Sequence, residues 1–474
     1  MPLNQTTPIK FGTDGWRAVM EKEYTFENVE RVAQAVALYV LETRPKNGAK
    51  PKVAVGYDWR RHSEDFAETV ARILLANGIE PLLSDRAVPT PAVSRAVVDN
   101  KLNLGVGITA SHNPGEYNGF KIKASDGSSA EPAITSRVEE LIDKQPVRKD
   151  AKADLSAYTK DILTPFLAGI RRYADIPSYK KPFRILVDSM HGVGSHHLAD
   201  LLKGTAVQVT TVRGERDIHF GGVAPEPILK NLGVSAELMR RGGFDLCVVT
   251  DGDADRIGAI RPGGDFVSPG TLLSLIMLHL KEDLGKTGSV VTTVSNTSLI
   301  FRVARRLGLR VHETPVGFKY ICEIMRKEEV LIAGEESGGL AFHKYMLERD
   351  GILSALLLIQ MMERRGKSFE DILLGVEKEF GKFHYVRCDM KYPDALKPRL
   401  LAALKEITPS TLEGLTLIGK KTDDGIKFLL EGDAWLLFRL SGTEPLLRVY
   451  AESTDLARAQ ALVEWGKAIA SGIR

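Results

Sequence analysis

Residues 105–123, Gly-Val-Gly-Ile-Thr-Ala-Ser-His-Asn-Pro-Gly-Glu-Tyr-Asn-Gly-Phe-Lys-Ile-Lys, run from an apolar strand straight into a polar turn. Pro114 and Gly115 force the chain to reverse, which predicts that Ser111 is held at a loop tip above the edge of a rigid sheet. Ser111 is the candidate hydroxyl nucleophile, and on this window alone a plain turn or capping role stays open. The elements leading up to it are a helix over 25–43, a strand at 53–56, a helix from about residue 63 stopped by Gly78, a helix near 90–99 and the strand 102–108.

The same order recurs downstream. A helix over 154–173, the strand 183–187, a helix with Leu198, Leu201 and Leu202, and a strand near 207–212 precede the strand 245–249, which opens into Thr250-Asp251-Gly252-Asp253-Ala254-Asp255-Arg256. A third pass has a helix near 270–284, the strand 289–294, a helix with Leu299, Val303 and Leu307, and the strand 330–333, which opens into Gly334-Glu335-Glu336-Ser337-Gly338-Gly339. Three similar units thus place three unusual loops at the equivalent strand end. In α/β sheets ligands bind beyond those ends, so the loops are expected to converge on one cleft. The tail from 376 changes rhythm to alternating strand-like segments and a closing helix, around the turn Arg439-Leu440-Ser441-Gly442-Thr443-Glu444-Pro445. The predicted fold is three similar α/β domains with mixed sheets (1–148, 149–261, 262–375) plus a smaller C-terminal α+β domain (376–474) around a central cleft.

Each loop has its own chemistry. Asp251, Asp253 and Asp255 would repel one another by about 4 kcal/mol per close pair at an effective dielectric near 20, which a hard divalent cation relieves; open positions for phosphate oxygens suit Mg²⁺. The plainer alternative is a solvated acidic turn. Arg439, Ser441, Gly442, Thr443 and Arg448 form a donor set suited to a phosphate dianion, and Arg17, ending the loop Lys10-Phe11-Gly12-Thr13-Asp14-Gly15-Trp16-Arg17, is a further anion grip. Glu335 and Ser337 suit sugar hydroxyls, with structural capping as the alternative. Gly105-Val106-Gly107-Ile108-Thr109-Ala110 fits a dinucleotide fingerprint but lies in a strand and runs into Pro114, so no such site is expected.

Composition agrees with an enzyme or a binding protein. The 474 residues are 43% hydrophobic and 26% charged, and 64 basic against 61 acidic side chains leave a net charge of +3, which calls for neither nucleic acid nor membrane. The longest apolar runs, near 271–280 and 352–362, fall short of the roughly 20 residues that span a bilayer and are expected to be buried helices. Cys247, Cys322 and Cys388 lack metal-site spacing and fit a reducing compartment. No charged region followed by an apolar one opens the sequence, which predicts a cytoplasmic protein.

With these four motifs in order, the sequence resembles the α-D-phosphohexomutase superfamily, the phosphoglucomutases and phosphomannomutases, over essentially its whole length. The motifs are Thr109-Ala110-Ser111-His112-Asn113-Pro114, Asp251-Gly252-Asp253-Ala254-Asp255-Arg256, Gly334-Glu335-Glu336-Ser337-Gly338-Gly339 and Arg439-Leu440-Ser441-Gly442-Thr443. The resemblance implies a heart-shaped molecule with a mobile C-terminal domain. It implies that Ser111 is a phosphoserine, that Asp251, Asp253 and Asp255 hold Mg²⁺ with the Ser111 phosphate, and that a hexose monophosphate is converted through a glucose or mannose 1,6-bisphosphate. Arg17, Lys121 and Arg256 would stabilise charge, Lys121 and His112 would move the proton, Glu335 and Ser337 would contact the sugar 3- and 4-hydroxyls, and the loop from Arg439 to Arg448 would clamp the idle phosphate. The partners implied are small sugar phosphates, with the chain a monomer or homodimer.

Specificity rests on departures. Dual-specificity members often carry histidine and methionine where this chain has Gly339 and Glu336, and phosphoglucosamine mutases often have glutamine at the latter. Glu335-Glu336-Ser337 and Gly317-Phe318-Lys319, which resembles a Gly-Trp-Lys of phosphoglucomutases, favour glucose phosphate, with mannose phosphate open and glucosamine phosphate less favoured. A metal-dependent phosphatase using aspartate as nucleophile leaves the Ser111 and Arg439 loops unexplained. A silent sugar-phosphate sensor does not need Ser111, Lys121 and all three aspartates.

Overall fold

Four sheets carry the chain, and the computed structural model describes residues 8–44, 49–441 and 445–473. The first sheet runs Trp16–Val19, Tyr117–Lys123, Leu104–Ile108, Lys52–Tyr57, Glu80–Ser84, Thr159–Lys160. Tyr117–Lys123 is antiparallel to both its neighbours, and the other pairs are parallel. The second runs Phe266–Val267, Ile257–Ile260, Leu246–Thr250, Arg184–Asp188, Gln208–Val212, with Ile257–Ile260 antiparallel to both neighbours. The third runs Val311–Thr314, Ser289–Thr293, Val330–Gly334, Leu340–Phe342, the last strand again antiparallel. The expected mixed sheets are therefore present.

One consequence concerns the loops. Each of the three is the hairpin connection between a strand in the parallel part of its sheet and the antiparallel neighbour that follows: Leu104–Ile108 to Tyr117–Lys123, Leu246–Thr250 to Ile257–Ile260, Val330–Gly334 to Leu340–Phe342. Both ends of every loop are pinned in adjacent strands, so its side chains are displayed from a rigid base.

The helix expected over 154–173 is shorter. Pro165 belongs in a first turn, Asp161 accepts from the Thr164 amide at 2.9 Å, and the helix is Leu163–Tyr173. The residues before it form a 3₁₀ turn and the strand Thr159–Lys160, which extends the first sheet.

The two apolar runs are buried helices, Pro269–Leu278 and Gly351–Arg365. Among the described residues no helix is long and apolar enough to cross a membrane. Gly351–Arg365, capped by Asp350 accepting from the Leu353 amide at 2.8 Å, belongs to one continuous core that includes Val93, Phe166, Val248 and Leu273 from the first three units. The tail is an antiparallel sheet, His384–Lys391, Leu446–Ser453, Trp435–Leu440, Ile426–Leu430, Leu415–Lys421, Thr411–Leu412, with its own core against the helices Lys397–Glu406 and Leu456–Gly472. It meets the third unit through a small apolar cluster of Val294, Trp435, Leu437 and Tyr450 and through polar contacts. All three cysteines are free; Cys247 and Cys322 are buried, while Cys388 is partly exposed.

Candidate active site

Ser111 is fully buried rather than at an exposed tip, and its backbone is held in the left-handed region at φ 51°. The reason is Arg60, also fully buried, whose two terminal nitrogens donate to the carbonyls of Ser111 (2.7 Å), Asn113 (2.6 Å), Pro114 (2.7 Å) and Tyr117 (3.0 Å). Asp58 lies 3.2 Å from its Nε and accepts from Thr109 Oγ1 at 2.6 Å, and Thr109 Oγ1 in turn accepts from the Ser111 amide at 2.9 Å. One ion pair thus carries the whole turn. Arg60→Met is expected to cost about 3–5 kcal/mol, because it strands Asp58 and four carbonyls; denaturant unfolding measures the loss.

The Ser111 hydroxyl donates to Asp251 Oδ2 at 2.8 Å. Asp251 Oδ1 accepts the amides of Asp255 and Arg256, each at 3.1 Å, which folds the aspartate loop around that carboxylate. Lys121, on the strand returning from the serine loop, lies 2.7 Å from Asp253, 3.1 Å from Asp255 and 2.9 Å from Asp14. Thr90 opens the helix Thr90–Asp99 and donates to Asp253 through its hydroxyl at 2.6 Å and its amide at 3.0 Å. Arg17 bonds Asn113 at 3.0 Å and lies 3.4 Å from His112 Nδ1, which is also 3.4 Å from Ser111 Oγ. Arg256 Nε is 3.9 Å from both Asp251 and Asp255.

The electrostatics separate these groups. Burial, then the neighbouring charges of Asp253 and Asp255, pushes the Asp251 carboxyl well up. Burial works against the Asp253 carboxylate as well, but Lys121 outweighs it and holds Asp253 far below the usual range. Burial likewise opposes the Lys121 charge, and Asp14, Asp253 and Asp255 overcome it, so Lys121 stays protonated. Burial, with Arg256 and Arg17 nearby, keeps His112 neutral.

The residues fit a hard cation. A carboxylate oxygen from each of Asp251, Asp253 and Asp255 lies within 4.8 Å of the others, the donor set is all oxygen, and Asp253 Oδ1 and Asp255 Oδ1 are buried with no hydrogen-bond partner among the described residues.

Glu335 joins this cluster through Arg349, which the sequence reading missed. Arg349 reaches Asp14 at 2.7 Å, Asp255 at 2.9 Å, Glu348 at 3.2 Å and Glu335 at 3.6 Å, so one guanidinium ties all three α/β units. Its stem occupies the space beside Gly339, where a Cβ would fall 2.2 Å from Arg349 Cδ. Gly339 is therefore glycine to admit this arginine. Burial raises the Glu335 carboxyl to about 7 against the pull of Arg349. Ser337 is half-buried in the same loop, and Lys319 lies on the helix Phe318–Met325, lining a small cavity with Thr13 and Asp14.

The fourth loop lies on the C-terminal sheet. Arg439 and Arg448 face each other in register on paired strands, Arg439 donates to Asp424 at 2.8 Å, and Ser441 is buried, its amide bonded to Leu446. Gly442 and Thr443 lie outside the described residues. Asp14 lies inside the quoted loop before Arg17, and Asp58-Trp59-Arg60 follows the strand Lys52–Tyr57, parallel to the strand that leads into the Ser111 turn; the sequence shows both as polar residues at strand ends but not that they are buried and paired. Arg349 gives no signal beyond preceding a buried helix.

Comparison with known proteins agrees with this arrangement. The chain matches the family models described as phosphoglucomutase/phosphomannomutase alpha/beta/alpha domain I over 8–149, domain II over 158–264, domain III over 268–380 and C-terminal domain over 387–464. A phosphoglucomutase/phosphomannomutase from Thermococcus kodakarensis is 30% identical over 460 residues, 96% of this chain and 97% of the relative. A phosphoglucosamine/phosphogalactosamine mutase from Sulfurisphaera tokodaii is 30% identical over 471 residues, 98% of this chain and 99% of the relative. A crystal structure from Thermus thermophilus, carrying a provisional phosphomannomutase name, superposes with TM-score 0.86 and 34% identity over 98% of this chain and 100% of that one. With all four domains matched in order, the chain belongs to the phosphoglucomutase/phosphomannomutase family of α-D-phosphohexomutases, phosphotransferase isomerases by reaction class.

Proposed function

We propose that this enzyme is a Mg²⁺-dependent mutase that interconverts hexose 1-phosphate and hexose 6-phosphate through a phosphoserine at 111 and a 1,6-bisphosphate, with glucose phosphate preferred. The observation that carries the reading is the Ser111 hydroxyl, 2.8 Å from Asp251 in a carboxylate triad that also contacts Lys121. Phosphoryl transfer needs mainly positioning and charge stabilisation, and Arg17, Lys121 and Arg256 surround the serine turn and the triad with positive charge. Asp251, Asp253 and Asp255, with the serine oxygen, would hold Mg²⁺, which when bound would supply charge neutralisation for the transferring group. A mutase of this fold from Aspergillus fumigatus forms a complex with GlcNAc-6P and magnesium.

The two groups expected to move the proton are in different states. His112 is neutral and presents Nδ1 3.4 Å from Ser111 Oγ, which suits an acceptor. Lys121 is locked in its charged form by three carboxylates and suits a hydrogen-bond donor or a fixed positive charge beside the transferring group. Glu335 and Ser337 would hold the sugar hydroxyls, Lys319 would contact the bound sugar phosphate from the third unit, and Arg439, Ser441, Gly442, Thr443 and Arg448 would hold the phosphate that is not reacting.

The sugar is tested by kcat/KM for the α-D 1-phosphates of glucose, mannose and glucosamine, with Mg²⁺ and a trace of 1,6-bisphosphate. Glucose is expected to lead mannose by about tenfold, the worth of roughly one hydrogen bond. A second reading, glucosamine phosphate, is favoured by relatives named for it, among them one from Pyrococcus furiosus at 30% identity. A lead for glucosamine would establish that reading, and no turnover with any of the three would overturn the mutase itself.

A further inference from the structure

Asp424 is a carboxylate on the turn between Leu415–Lys421 and Ile426–Leu430, and a single oxygen of it serves two partners. Its Oδ2 accepts from Arg439 Nε at 2.8 Å, within the C-terminal domain, and from the backbone amide of Val316 at 2.8 Å, in the third unit. Val316 immediately precedes Gly317-Phe318-Lys319, so one carboxylate oxygen touches both the phosphate subsite and the base of the segment that carries Lys319.

The turn has little freedom to be elsewhere. Gly425 follows Asp424 at φ 89°, and a Cβ there would fall 2.1 Å from the Phe438 carbonyl, so the turn lies directly on the strand that carries Arg439. On the other side Lys421 and Lys427 pair with Glu313, at the end of Val311–Thr314, and Lys427 also donates to the Val294 carbonyl at 2.6 Å. Asp424 is therefore clamped between two domains whose apolar contact is small.

We infer that Asp424 is the positioning residue of the phosphate clamp: it orients the Arg439 guanidinium through Nε and holds that arginine in register with the segment carrying Lys319. The inference rests on the mutase reading above. A guanidinium held by one edge loses less rotational freedom when it takes a phosphate with the rest of its fork, and an arginine aligned across the domain boundary meets a phosphate whose sugar is held by the third unit. Asp424 touches neither the sugar nor the transferring group, so its effect falls on ground-state and transition-state binding alike.

The test compares Asp424→Ala, Asp424→Asn, Arg439→Ala and the double variant Asp424→Ala/Arg439→Ala in the full-length enzyme. Three quantities are read: kcat, KM for α-D-glucose 1-phosphate, and the inhibition constant of inorganic phosphate. Asp424→Ala is expected to raise KM and the phosphate inhibition constant by about tenfold, as for a lost charge-assisted hydrogen bond, with kcat within about threefold. Asp424→Asn, which keeps an acceptor and loses the charge, should fall between wild type and alanine. The double variant should bind phosphate no more weakly than Arg439→Ala alone. Unchanged KM and phosphate inhibition in Asp424→Ala, or full additivity in the double variant, overturns the inference. If the alanine variant is unfolded at the assay temperature, the asparagine variant decides on the same two constants. A wild-type enzyme with no turnover strikes the mutase reading instead, so the two failures are told apart.

Discussion

Ser111→Ala is expected to lower kcat by at least about 100,000-fold while leaving the melting temperature close to that of the wild type, because in the proposed mechanism the serine is the covalent nucleophile, and its loss removes the reaction path and not merely one contribution to it. The fold should tolerate the change. Among the described residues the hydroxyl contacts Asp251 at 2.8 Å and His112 at 3.4 Å, whereas the turn is held by the four carbonyl bonds of Arg60 and by Thr109 Oγ1 on the Ser111 amide. Incubation with labelled glucose 1,6-bisphosphate should leave an alkali-labile, acid-stable phosphate on the wild type and none on the variant. Near-normal turnover in the variant, or a hydroxylamine-labile acyl phosphate in its place, would falsify the serine assignment and favour an aspartate nucleophile.

The legible part of this site was what strand ends display. Ser111, the aspartate triad and Glu335 each follow an apolar strand, so period and punctuation place them, and the third parallel strand of each unit in chain order is the one that turns back into an antiparallel neighbour. What pairs across units was not legible. Arg349 is separated from Asp14 by 335 positions, and nothing in local spacing says that a guanidinium before a buried helix will meet carboxylates from all three α/β units. Arg60 is hidden in the sequence for a different reason. A polar turn normally solvates its charges, and only the tertiary fold, with Phe220 4.8 Å beneath the guanidinium, turns this one into a buried scaffold. Asp424 shows the same limit at the domain boundary. Its partner Arg439 is a near neighbour in sequence, but its second partner, the Val316 amide, lies 108 positions away. Gly339 shows the reverse case: its identity was noted from sequence as a departure, and the cause, the Arg349 stem, lies ten positions along the chain.

Asp251→Asn is expected to separate metal binding from folding. Asparagine can satisfy the existing contacts: its carbonyl takes the amides of Asp255 and Arg256, and its NH₂ stands where Asp251 Oδ2 meets the Ser111 hydroxyl, which can accept from it. What is lost is a negative charge that the protein holds unfavourably, since burial and the charges of Asp253 and Asp255 raise this carboxyl well above its ordinary 3.8. A carboxyl raised in the folded state costs nothing at low pH, where both states are protonated, and costs more as pH rises above the unfolded value. Without metal, Asp251→Asn should therefore be more stable than wild type at pH 8, and the gain should vanish below about pH 4. Mg²⁺ should reverse the order, because wild type gains stability from a cation on the triad and the variant, with an N–H group among the ligand oxygens, does not. The variant's kcat should fall by about 1,000-fold, several kcal/mol of lost charge stabilisation. Melting curves at pH 4 and pH 8, each with and without Mg²⁺, read the stability terms independently of turnover. If Mg²⁺ stabilises the variant as strongly as the wild type, the triad does not hold the metal.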